Sequence, residues 1–83
     1  MALQFLKPSE IEELRKLFPI GCRIYCYSMD GEPAMMGKTG KLRSIDDAGQ
    51  LHVAWEGAGT LALVPGLDVF WRDDLGEDGG NNE

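Results

Sequence analysis

Between Phe18 and Arg72, short alternating apolar stretches are cut at close intervals by turn-forming residues. These are Pro19 with Gly21, Asp30-Gly31, Gly37 with Gly40, Asp46-Asp47 ahead of Gly49, Gly57 with Gly59, and Pro65-Gly66. Such punctuation leaves no run long enough for a helix in this region and prescribes strands joined by tight turns. At 83 residues the chain holds one domain with one modest core. A domain of that size buries only roughly 60–65% of its unfolded surface, which favours a binding surface over a deep enclosed active site.

One segment breaks the strand pattern. Residues 9–18, SEIEELRKLF, place Ile11, Leu14, Leu17 and Phe18 at helical spacing. Ser9 with Glu12 three positions on reads as a capping box, and Arg15 and Lys16 suit the last turn. The apolar stripe is expected to dock on the sheet. Pro19 ends the helix.

Along the following strands, Cys22, Ile24 and Cys26 alternate with Arg23, Tyr25 and Tyr27, so one face is apolar and the other polar and aromatic. Residues 29–38 form the longest internal loop and 39–46 a second strand, with a hairpin turn at Asp47-Ala48-Gly49. Leu51, Val53 and Trp55 point inward, Leu61 and Leu63 continue the core, and a last strand runs around Val69, Phe70 and Trp71, with Trp71 outward. Five short strands suit a partly open barrel better than a sandwich. The expected layout is an N-terminal extension over 1–8, a helix over 9–18, a five-stranded barrel over 19–72 and a disordered acidic tail over 73–83.

Cys22 and Cys26 lie about 13 Å apart on an extended strand, beyond the roughly 7 Å limit for a disulfide. They read as reduced, buried thiols. One histidine with two such thiols does not make a zinc site, GKTGK lacks the spacing of a phosphate-binding loop, and no Ser, Cys or second carboxylate is arranged with His52 as a triad would require. His52 reads as a plain surface histidine. No cofactor and no catalytic centre are expected. The N-terminus has no basic segment leading into an apolar stretch, and no run reaches membrane-spanning length, so no membrane association and a cytoplasmic location are expected.

Taken together, PIGCRIYCYSMD, GKTGK, SIDDAGQLHVAWEG and LALVPGLDVFWR resemble the bacterial and phage family of small proteins called domain of unknown function 4314, over about residues 9–72. The resemblance implies an SH3-like barrel and a phage or mobile-element setting. It implies no activity. Two departures, Glu56-Gly57-Ala58-Gly59 after the tryptophan and the loop after Ser28-Met29-Asp30, fall in turns. The segment from Gly37 to Asp46 also resembles KOW-type barrels, in which a basic strand meets RNA.

Three surfaces are candidates. Tyr25 and Tyr27 on the outward face of the first strand, with Met35 and Met36 in the loop beyond and Trp71 on the last strand, would anchor a protein partner. The competing expectation is that the two tyrosines pack under the helix. Asp46, Asp47, Glu56, Asp68, Asp73 and Asp74 form an acidic set, which either serves turns and solubility or imitates nucleic acid in the groove of a host defence enzyme, as an anti-CRISPR protein does. Lys38, Lys41 and Arg43, with Arg23 beside them, form a basic stripe that could meet RNA or DNA; otherwise it is a solvated strand face. Fourteen acidic residues against eight basic give a formal net charge of −6, which opposes general nucleic-acid binding. The leading expectation is a non-catalytic interaction module that binds a protein partner or self-associates; the acidic mimic is second and the nucleic-acid binder third.

Overall fold

A computed structural model describes residues 6–74. It contains a helix α1 (Pro8–Leu17), strands β1 (Arg23–Ser28), β2 (Thr39–Ile45), β3 (Leu51–Trp55), β4 (Gly59–Leu63) and β5 (Val69–Arg72), and a 3-10 turn at Pro33–Met35. The five strands form one antiparallel sheet in the order β4-β3-β2-β1-β5. No ladder joins β4 to β5 among the described residues, so the expected barrel is open. The tail expected to be disordered lies, from residue 75 on, outside the described residues.

Successive strands up to β4 pair with one another, β2–β3 and β3–β4 through short turns and β1–β2 through the long 29–38 loop that holds the 3-10 turn. At the β2–β3 hairpin, Asp46 accepts from the backbone N–H of Ala48 (3.0 Å) and Gln50 (2.9 Å), and Gly49 takes φ +87°. An L side chain rarely adopts that conformation. Gly40 serves a different purpose. A Cβ there would lie 2.8 Å from Val53 Cγ1 and 2.9 Å from Trp55 Cα and would also strike the Ala54 carbonyl, so glycine lets β2 and β3 approach closely.

Two β-bulges interrupt the ladders, between Cys26 and Ser28 against β5 and between Leu42 and Ser44 against β3. An extra residue in one strand resets the inward–outward phase. That is why Leu42 and then Ile45 are buried with two exposed residues between them, and why Cys26 is followed by Tyr27 and Ser28 before Met29 turns in.

Cys22, Ile24, Cys26, Leu51, Val53, Trp55 and Leu63 are buried on the core face as the alternation predicts, and Leu42 of β2 joins them. Both cysteines are free thiols, and burial raises the pKa of each. The helix closes this face through Ile11, with Leu14 and Phe18 alongside, and Phe18 meets Phe70 at 5.7 Å between ring centroids. Leu17, expected in the docked stripe, is 60% exposed, because it lies a further step round the helix from Ile11 and Phe18 than Leu14 does. Two arginines anchor the helix: Arg15 Nη2 donates to the Ile45 carbonyl at 2.8 Å and Arg72 Nη1 to that of Leu17 at 3.2 Å. The helix start also differs from expectation. Lys7 N–H donates to Glu10 Oε1 at 2.7 Å, with Pro8 in the first turn, so the reciprocal Ser9–Glu12 box gives way to a cap that begins earlier in the chain.

Trp55 is 4% exposed and its indole N–H donates to the Leu61 carbonyl at 3.1 Å. Replacing it with alanine removes a large core side chain and leaves that carbonyl without this donor. Chemical denaturation of Trp55→Ala should show a loss of about 3–5 kcal/mol; a loss below about 1 kcal/mol would contradict the inward register of β3.

Candidate functional site

The convex face of the β1–β5 pair carries a stack of aromatic rings. In the antiparallel register Tyr25 lies opposite Trp71, and their rings stack at 5.0 Å with an interplanar angle of 24°. Alternation carries Tyr27 onto the same face, beside the bulge, where it stacks on Trp71 at 5.9 Å and 25°. Stacked pairs of this kind contribute about 0.5–1.5 kcal/mol each beyond their buried area, so the rings hold one another in place. Trp71 nonetheless remains 47% exposed and Tyr27 51%. The tyrosines therefore pack against β5 and not under the helix.

Alternation in β5 places Val69 in phase with Trp71 and exposed on the same face, and Leu67 in the turn before β5 is exposed as well. Neither stands out as an anchor in the sequence, although the phase of Trp71 carries the signal for Val69. Of the two methionines, Met36 is exposed and Met35 is 3% exposed. The 3-10 turn at Pro33–Met35 folds Met35 back into the core, which removes it from the anchor set.

The acidic candidates separate into two groups. Asp68, 8% exposed, is an internal clamp: its Oδ2 accepts from Val64 N–H at 2.7 Å and its Oδ1 from Asp30 N–H at 2.8 Å. Asp73 pairs with Arg23 at 3.1 Å, and Asp74 pairs with Arg72 at 2.9 Å and accepts from Arg23 N–H at 3.2 Å. Asp46 caps its hairpin and holds His52 Nε2 at 2.8 Å, so His52 is a paired group and not a bystander. These carboxylates serve the fold and are not a free acidic patch. Asp47 and Glu56 stay exposed, with Asp47 only 3.8 Å from Arg15 in a solvated pair of little energetic weight.

The basic stripe shortens. Lys41 and Arg43 are exposed, and neither forms an ion pair among the described residues. Lys38 stands just before β2, in phase with Gly40 and not with Lys41, and is half-buried. Arg23 lies directly opposite Lys41 in the β1–β2 ladder but is engaged by Asp73. Lys41 and Arg43 flank an open depression of about 290 Å³, also lined by Gly40, Ala54, Trp55 and Glu56.

Among the described residues no cluster of three or more His, Cys, Asp or Glu could hold a metal ion, and no helix is long and apolar enough to cross a membrane.

The His52 hydrogen bond, reinforced by the Gln50 and Ala48 amides, lowers the Asp46 pKa from its ordinary 3.8. The Arg72 hydrogen bond does the same for Asp74. A carboxylate whose pKa is lower in the folded state contributes stability that is complete above its unfolded value and lost as pH falls through its folded one. Wild type should therefore be more stable than Asp46→Asn near neutral pH, and the gap should narrow as pH drops below 3.8. Urea unfolding across pH 2.5–7 (about the range over which carboxylates titrate) measures it; a gap independent of pH would contradict the Asp46 assignment.

Searches of the curated proteins and of the solved structures returned no match. The profile of the domain of unknown function DUF4314 matches residues 7–72. That span takes in the helix, every strand and the aromatic face, and the chain therefore belongs to the DUF4314 family.

Proposed function

We propose that this chain is a small non-catalytic interaction module, an open SH3-like barrel that binds a protein partner through the convex face of β1 and β5. The observation that carries this reading is the Tyr25–Trp71–Tyr27 stack. It is ordered by ring–ring contacts yet half exposed, and Val69, in phase with Trp71, extends it along β5 at the sheet edge. Rigid aromatic side chains with exposed area supply anchors at low entropic cost. An apolar group of this size on a chain so rich in charge is what a partner surface requires.

The SH3-like description rests on strand order. β1 lies between β2 and β5, and a meander from β1 to β4 precedes the return of β5 to β1. The acidic-mimic alternative draws less support, since Asp46, Asp68, Asp73 and Asp74 are committed to bonds within the chain; a phage or mobile-element setting is compatible with either reading. Self-association remains a form of the same reading, with a second copy as the partner.

A photo-crosslinking amino acid placed at position 69, in cells that naturally make this protein, tests the proposal. A discrete protein adduct is expected at position 69, lost when Trp71→Ala is added, with none from a control at the exposed Glu12 on α1. No adduct at 69, or an adduct indifferent to Trp71, would contradict it.

A further inference from the structure

The aromatic stack and the two cations without an ion pair among the described residues, Lys41 and Arg43, belong to one continuous surface. Trp71, Tyr25 and Thr39 form a row across β5, β1 and β2, and Arg23 with Lys41 and Ala54 forms the next row in phase with it. Lys41 is thus two residues along β2 from the aromatic row. Arg43 lies two residues further on, exposed at the second bulge. Between these side chains the surface is low, being made of Thr39, Gly40 and Ala54. With strands about 4.8 Å apart and a rise of about 3.3 Å per residue, the path from Trp71 to Arg43 measures roughly 16 Å, the length of about five extended residues.

Charge distribution selects what fits there. On a chain of net charge −6, other cations near this face are already matched: Arg23 by Asp73 and Arg72 by Asp74. Lys41 and Arg43 are not matched among the described residues. Glu56 also lines their depression, beside Thr39 at the end of the aromatic row, and forms no ion pair with either cation, so the positive end of the surface is the part of β2 from Lys41 to Arg43. The rings supply the apolar half of the site. Each stacks on at least one neighbour, which holds their edges in a fixed array, and the tyrosine hydroxyls and the Trp71 indole N–H have no hydrogen-bond partner among the described residues. Peptide carbonyls and apolar side chains need donors and ring edges, which this surface offers.

Resting on the interaction-module reading, we infer that the partner element is an extended acidic peptide segment. It sets an apolar or proline residue against Tyr25, Tyr27 and Trp71 and places carboxylates three to five positions away on Lys41 and Arg43 (about the reach set by the 3.3 Å rise). Arg43 offers a carboxylate two parallel donors, and Lys41 a point charge.

Selection from a random linear peptide library on the full chain, followed by fluorescence polarisation with the enriched peptides, tests the inference. Enriched sequences should carry acidic residues at that spacing from an apolar one. Their affinity should fall about tenfold in Trp71→Ala, in Tyr27→Ser and in Lys41→Glu/Arg43→Glu, and should weaken with salt; circular dichroism verifies that each variant is folded. Enriched peptides without acids, or affinity indifferent to Lys41→Glu/Arg43→Glu, would overturn the acidic segment while leaving the aromatic face as a binding site. Indifference to both Trp71→Ala and Tyr27→Ser, or a library that enriches nothing, would overturn the interaction-module reading with it. Tighter binding of an oligothymidine probe than of any peptide, lost in the same variants, would overturn the peptide in favour of single-stranded nucleic acid.

Discussion

The placement of β5 rests on the carboxylate of Asp68. Strands β1 to β4 each pair with the next in sequence, but β5 must return across the molecule to pair with β1. Asp68, the residue before β5, ties the turn after β4 through Val64 N–H and the start of the long loop through Asp30 N–H. Hydrogen bonds to a charged acceptor contribute about 1.5–3 kcal/mol each, and removal of this acceptor would strand two amides in a part-buried site. The aromatic stack and the contacts of β5 with the helix depend on that tie. Without β5 beside β1, Trp71 has no tyrosines to stack on, Phe70 does not reach Phe18, and Arg72 does not reach the Leu17 carbonyl.

The same strand explains why an acidic chain presents a cationic patch. Asp73 and Asp74 follow directly from β5 and are drawn onto Arg23 and Arg72, while Asp46 is absorbed by its hairpin and His52. Four of the acids nearest the sheet are thus used for turns and edges, and Lys41 and Arg43 form no ion pair among the described residues. Net charge describes the long-range field; recognition at close range follows the charges that remain unpaired.

Much of the core could be read from alternation alone. Cys22, Ile24, Cys26, Leu51, Val53 and Trp55 fall where period two puts them, because those stretches hold a single phase. Gly49 was legible as the left-handed turn residue. The site was legible in its members and not in its assembly: Tyr25, Tyr27 and Trp71 stand out as outward aromatics, but their stacking depends on a register between strands far apart in sequence. Bulges leave no mark in the residue pattern, so the phase shifts that bury Met29 and Ile45 could not be foreseen. Met35 reads as an exposed loop residue until the turn at Pro33 folds it inward. Asp68 reads as turn chemistry after Pro65-Gly66, which captures its bond to Val64 but not the one to Asp30, 38 positions away.

Native-state hydrogen exchange on Asp68→Asn tests the dependence most directly. Asparagine keeps the size but offers only one acceptor oxygen in place of two. If Asp68 sets β5 in place, the amides of Val69–Arg72 lose protection and the ring-current shifts of the Tyr25–Trp71–Tyr27 stack diminish, while Val53 and its neighbours in β3 exchange as in wild type. Unchanged protection in β5, or equal loss in β3 and β5, would contradict the claim that Asp68 holds the aromatic face together.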